Sequence, residues 1–147
     1  GHSFNPDLIW KQGSKVSVPI YALDDYIRER GINRRLDVLK SDTQGYEWQL
    51  ISGARKTILR DKPLVLCEVA PKALKAIGDS HEDLLRFFEE AGYSMLMVDR
   101  SRDELMPLGY EALKLHLAET GREFEDVIFL PPAGASEARL DGIPDQR

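Results

Sequence analysis

An α/β fold with a mostly parallel sheet is the class that this sequence predicts, and two observations carry it. Short, nearly continuous apolar runs at Leu36–Lys40, Leu64–Val69 and Tyr93–Val98 have the composition of strands covered on both faces. Between them lie stretches with apolar residues at helical spacing, and strand–helix–strand order leads to right-handed crossovers with helices on both faces. The last apolar run, Asp126–Leu130, is free to return antiparallel.

Val16–Tyr21 reads as a first short strand, which Pro19 confines to an edge because proline has no amide hydrogen. Asp24 or Asp25 then caps a helix running to about Arg30, stopped by Gly31. A longer helix over Tyr46–Leu59 places Tyr46, Leu50, Ile51, Ala54 and Ile58 on its inner face, with Glu47, Gln49, Arg55 and Lys56 outward. Gly53 inside it implies close packing on the sheet. Ser80 and Asp83 form a capping-box-like start to a helix burying Leu84, Leu85, Phe87, Phe88 and Ala91, which ends at Gly92. Another helix covers Tyr110–Thr120 and closes at Gly121. Residues 15–131 are thus expected to form one domain, and 132–147, rich in glycine, proline and charge, a mobile tail.

With 147 residues, 42% of them hydrophobic and 31% charged, the chain is able to bury a sizeable core, and it has no apolar run of the length a membrane span needs. A net charge of −5 speaks against wrapping a nucleic-acid backbone, so Arg28, Arg30, Arg34 and Arg35 are expected on a solvated surface. The one cysteine, Cys67, has no disulfide partner in the chain, which favours a reducing, cytoplasmic setting. The chain begins Gly1-His2-Ser3, which fits a tag remnant or a cut piece of something longer.

The stretch Asp42-Thr43-Gln44-Gly45-Tyr46-Glu47 concentrates the chemistry. It sets two carboxylates and a glycine at a strand-to-helix junction, where parallel sheets bind their ligands. Asp42 is a candidate magnesium ligand or substrate-orienting group, or else a helix cap. Glu68, near the end of the next strand, either converges with Asp42 as a paired-carboxylate site or is a buried structural glutamate. Such a pair is suited to holding magnesium, or to raising one pKa so that a carboxylate serves as general base. Gln44 and Gly45 are candidates for backbone contact with a ligand, and Glu47 for a ligand contact or for stabilising a helix N-terminus. His81 is either a proton acceptor or an exposed helix-start residue. His2 and His116 are weaker candidates, and zinc is not expected. Trp10, Trp48, Phe87 and Phe88 are candidate pocket linings, the phenylalanines reading equally as core and Trp48 as a surface patch.

Leu23-Asp24-Asp25, Leu39 through Glu47, Ile51-Ser52-Gly53-Ala54 and Leu66-Cys67-Glu68-Val69 together resemble the C-terminal half of FkbM-type methyltransferases over roughly residues 15–100. Ser41 departs from the apolar residue usual there. The resemblance implies part of a Rossmann-like class I sheet and S-adenosylmethionine-dependent methylation of an oxygen on a sugar, polyketide or other small molecule. With such an activity, Asp42, Gln44, Gly45 and Glu47 are the expected cofactor contacts, and Asp42, Glu68 and His81 the expected catalytic residues. No Gly-x-Gly turn stands before Val16, so this stretch alone is expected to bind the cofactor poorly and to be inactive. The strand at Leu36 is expected to present an open edge and to drive self-association. Two alternatives are a non-catalytic binding or assembly domain and a magnesium-dependent hydrolase.

Overall fold

The computed structural model describes residues 17–120 and 123–134. It contains, in order, α1 (Leu23–Glu29), β1 (Val38–Ser41), α2 (Glu47–Gly53), α3 (Arg55–Asp61), β2 (Leu64–Val69), α4 (Pro71–Ala76), α5 (His81–Glu90), β3 (Ser94–Asp99), β4 (Glu104–Leu108), α6 (Tyr110–Glu119) and β5 (Glu125–Leu130).

The five strands form one sheet in the order β1-β2-β5-β3-β4. β1 and β2 pair in parallel, while β5 inserts antiparallel between β2 and β3, and β4 pairs antiparallel with β3. The expectation of a mostly parallel sheet is corrected by that insertion. β1, β2 and β3 do run in one direction, but only the first two are hydrogen-bonded neighbours.

Among the described residues the core lies on one face of the sheet, where helices were expected on both. Val65, Cys67 and Val69 of β2 are buried, whereas the alternate residues Leu64, Leu66 and Glu68 are partly exposed. Val127 and Phe129 of β5 and Met95 of β3 join the same buried cluster, together with Ile51, Ile58, Leu74, Leu84, Phe88, Leu113 and Leu117 from five helices. Strand alternation places these sheet residues on one side. Phe88 stacks on Phe129 with ring centroids 3.8 Å apart and meets Tyr93 edge-on at 5.2 Å.

Several local expectations change for identifiable reasons. Ser17–Ala22 forms no strand among the described residues; Val18, Ile20 and Tyr21 are exposed, with no neighbouring strand to pair with. The helix expected over Tyr46–Leu59 breaks at Ala54 into α2 and α3. Gly53 is close-packed, but against α1 and not the sheet, since a Cβ there would lie 3.3 Å from Ala22. α4 begins with Pro71 at its first position, where the missing amide hydrogen costs nothing, and it buries Leu74. β4 contains Pro107, which sheets tolerate on an edge strand such as this one. The two proline-bearing elements were not legible as helix and strand. Gly121, Trp10, His2 and the stretch 135–147 of the expected tail lie outside the described residues.

Asp24 does cap a helix, though not its own. α1 starts at Ala22 without a side-chain cap, while the Asp24 carboxylate accepts hydrogen bonds from the amides of Lys56 (2.8 Å) and Thr57 (2.9 Å) and from the Thr57 hydroxyl (2.6 Å). Those amides open α3, whose own N-cap residue, Ala54, has no oxygen to offer. One aspartate therefore ties α1 to α3 and replaces the missing cap. Asp24→Ala is expected to cost about 1–2 kcal/mol, read as a lower urea midpoint with unchanged slope.

Candidate functional site

The loop between β1 and α2 is shaped by the residue that ends it. Gln44 and Gly45 both take positive φ, 55° and 108°. Glu47, fully buried, turns its carboxylate back into the loop and accepts hydrogen bonds from the Thr43 amide (2.8 Å), the Thr43 hydroxyl (3.1 Å) and the Gly45 amide (2.9 Å). Position 45 admits no side chain, because a Cβ would sit 3.0 Å from the carbonyl oxygen of Ala73 in α4. Glu47 was expected on the outer helix face; the structure makes it the inner clamp of the loop. Both of its oxygens are engaged, and the space beside Gly45 is filled by α4.

The clamped loop carries Gln44 to the point between the two acidic candidates. Its Nε2 donates to Asp42 Oδ1 at 3.1 Å and to Glu68 Oε1 at 2.8 Å. Asp42 and Glu68 thus converge, as the strand-end argument anticipates, with an amide joining them. Lys40 Nζ stands 3.6 Å from the outer oxygen of Asp42.

This cluster borders a cavity of about 350 Å³ on the sheet face away from the helical core, lined among others by Lys40, Asp42, Glu68, Arg100, Phe124 and Asp126. Asp126 and Arg100 were not singled out by sequence reasoning. Asp126 lies directly across the β2–β5 ladder from Glu68 and is ion-paired with Arg100, which comes from the end of β3 and lies over the Phe124 ring. The Glu68 carboxyl is pushed up to about 7, first by burial and then by the negative charges of Asp42, Glu47 and Asp126, with Arg100 offsetting part of the effect. A carboxyl that changes charge near neutrality, surrounded by groups that do not reach it with a full countercharge, is suited to accepting and releasing a proton.

The remaining candidates fall elsewhere. His81 opens α5 and does not line this cavity; burial lowers its pKa, and the charges acting on it are Glu82 and Lys114. Ser80 caps α5 by accepting from the Glu82 amide, not from position 83. His116 contacts the buried Glu125 at 3.1 Å across α6 and β5. Trp48 meets Phe87 edge-on within the helical layer and is not a surface patch. Cys67 is buried, and burial together with the Glu47 charge drives its thiol far above the usual range, so it is no nucleophile.

A donor set for magnesium requires several oxygens around one point. Among the described residues, no group of three or more His, Cys, Asp or Glu side chains is placed to hold a metal ion, and the Gln44 amide already spans Asp42 and Glu68.

A second cavity, about 580 Å³ and largely apolar, flanks the other side of the same loop, with Leu39, Thr43, Tyr46 and Leu50 on one wall and Tyr21 and Tyr26 on the other. It adjoins β1, which has β2 on one side and no strand on the other among the described residues. No helix of the described residues is long and apolar enough to cross a membrane.

Comparison with curated proteins and with solved structures gives no match. The family model for the methyltransferase FkbM domain matches residues 3–95, more than half of the chain, and that interval contains α1 to α5, the clamped loop, Asp42 and Glu68. Arg100 and Asp126 lie beyond the matched residues. By that match the chain belongs to the methyltransferase FkbM domain family.

Proposed function

We propose that this protein transfers a methyl group from S-adenosylmethionine to a hydroxyl of a small molecule, with Glu68 as the proton acceptor. The observation that carries this reading is a carboxyl with a pKa of about 7, hydrogen-bonded through Gln44 to Asp42 in a cavity at the strand ends. When bound, S-adenosylmethionine supplies an electrophilic methyl on a positively charged sulfur. The three carboxylates lining the cavity, Asp42, Glu68 and Asp126, outnumber its two cations, Lys40 and Arg100, and a cationic ligand balances the excess when Glu68 is ionised. Asp42 and Gln44 are the loop residues with side chains turned toward that end; Gly45 and Glu47 act by holding the loop.

Ionised Glu68 removes the proton from the acceptor hydroxyl as its oxygen becomes nucleophilic. Gln44 fixes the carboxylate's orientation, and Arg100 limits the local build-up of negative charge. Positioning contributes more to such a transfer than proton chemistry does, because the donor and acceptor atoms must be held in line. An acceptor carrying hydroxyls beside a compact body suits the cavity volume of about 350 Å³.

Calorimetric titration with S-adenosylmethionine and S-adenosylhomocysteine tests this reading. Saturable binding is expected, weak because no Gly-x-Gly turn occurs in the sequence, and weaker still in Asp42→Ala. No binding up to the solubility limit by a folded chain overturns it.

The open edge of β1 favours a second reading, a domain that associates through that strand with another copy. Exposed Val38 lies on this edge strand, and exposed Ile20 and Tyr21 line its apolar cavity. A solution mass that rises with concentration while no cofactor binds is the result expected from this alternative.

A further inference from the structure

At the other end of the sheet, the segments leading into β1 and β2 build a basin of about 540 Å³ whose lining includes Asn33, Arg34, Arg35, Arg60, Asp61 and Lys62. Residues 32–35 precede β1 and residues 60–62 precede β2, and the two strands are parallel. The basin is therefore at their N-terminal ends, whereas the Asp42–Gln44–Glu68 cluster is at their C-terminal ends. It holds four cationic side chains and one carboxylate in a chain whose net charge is −5.

The single carboxylate organises the cations without using up their donors. Arg60 grips the Asp61 carboxylate through Nε (2.6 Å) and Nη2 (2.7 Å), and Arg35 donates Nε and Nη2 to the Asp61 main-chain oxygen at 3.2 and 2.9 Å. The second Asp61 oxygen also accepts from the Leu36 amide. Arg35 stands 3.9 Å from Asp37, outside the basin, and Lys62 donates to the Ala91 carbonyl. Arg34 makes no hydrogen bond or ion pair among the described residues, and Nη1 of Arg60 remains unengaged. Solvation alone accounts for one exposed arginine. Here, however, the basin's one uncommitted guanidinium among the described residues, that of Arg34, faces a concavity beside those of Arg35 and Arg60, which Asp61 locks in place, and locking lowers the entropy cost of binding an anion.

We propose that this basin binds a phosphoryl group, carried by a small phosphorylated molecule, with Arg34 as its principal donor, Arg60 adding its remaining Nη1, and Asn33 and Lys62 at its rim. Planar guanidinium forks match phosphate oxygens in pairs, which is the geometry that distinguishes them from ammonium groups. The site is independent of the methyl-transfer reading, since it shares no residue with the loop or with the carboxylate cluster.

Inorganic pyrophosphate is the probe, titrated calorimetrically into the full chain at low ionic strength, with citrate as the carboxylate control. Saturable binding is expected, about tenfold weaker in Arg34→Ala and again in Arg60→Ala, and falling as salt is added. Arg60→Ala also loosens Asp61, so Arg34→Ala, which removes no protein contact, keeps the test separate from folding. Absence of saturable binding, equal affinity for citrate, or affinity unchanged in Arg34→Ala overturns the proposal. Weaker pyrophosphate binding in Arg34→Ala than in the wild type, with the fold retained, supports it.

Discussion

Glu68→Gln is expected to lower the rate of methyl transfer at saturating cofactor by about 10²–10⁴-fold at pH 8 while making the folded chain more stable at that pH. Both halves follow from one property. Burial, together with the charges of Asp42, Glu47 and Asp126, raises the Glu68 carboxyl from its ordinary 4.5 to about 7. The native state therefore holds this proton more tightly than the unfolded chain does. The stabilisation is complete below the unfolded value, near 4.5, and is lost as pH rises through about 7, where the native protein must carry an ionised carboxylate in an unfavourable place. Glutamine never ionises and avoids that cost, so the variant gains on the wild type above pH 7.

The rate has the opposite dependence, because only ionised Glu68 accepts a proton. Wild-type turnover should rise through a midpoint near pH 7, and the variant's residual rate should be flat there. Parallel pH profiles of turnover and of the urea midpoint check the two expectations. A variant that loses stability and activity together at pH 8 would show Glu68 to be a structural group.

How far the site was legible follows from which contacts are local. Asp42, Gln44, Gly45 and Glu47 stand within six residues, and the strand before them was recognisable from its apolar run, with bounds displaced by two residues or fewer. Glu68 was legible for a similar reason: β2 matches its apolar run, and parallel pairing sets Ser41 opposite Cys67. Asp126 and Arg100 were not. β5 is the last strand in the chain, yet it lies between β2 and β3, and nothing in its own alternation tells which strand it will pair with. Only that insertion puts Asp126 across from Glu68 and brings Arg100 to the same cavity. The described residues cover one face only, and cover on both was expected because a strand with buried and half-buried alternate positions has nearly the same composition as a fully buried one. Leu64 and Leu66 are as apolar as Val65 but remain partly exposed. The face of Glu47 was misread because helical periodicity assigns faces along the helix axis and does not describe a side chain that turns back past the helix start.

That reversal makes Glu47→Ala the substitution expected to cost the most stability in the loop, about 3 kcal/mol. The carboxylate is fully buried and serves three donors, two of them main-chain amides that no other group is shown to satisfy. Leaving buried amides without an acceptor costs about 1–3 kcal/mol each before any relaxation of the loop. Relaxation has little room, since Gly45 is packed against the Ala73 carbonyl and Gln44 already holds a left-handed conformation. Glu47→Gln separates the structural part of this effect from the electrostatic part. An amide oxygen in the place of Oε1 still accepts two of the three hydrogen bonds, those from the Thr43 amide and hydroxyl, so the variant is expected to fold with a smaller loss, about 2 kcal/mol by urea denaturation. It also removes one of the negative charges that raise the Glu68 pKa, and the midpoint of the rate profile should then move below 7. If Glu47 acted on the site only by holding the loop, Glu47→Gln would reduce the rate and leave the midpoint in place. A downward shift measured at the Glu68 carboxyl by NMR would instead show that one buried residue sets both the geometry of Gln44 and the pH at which Glu68 can take a proton.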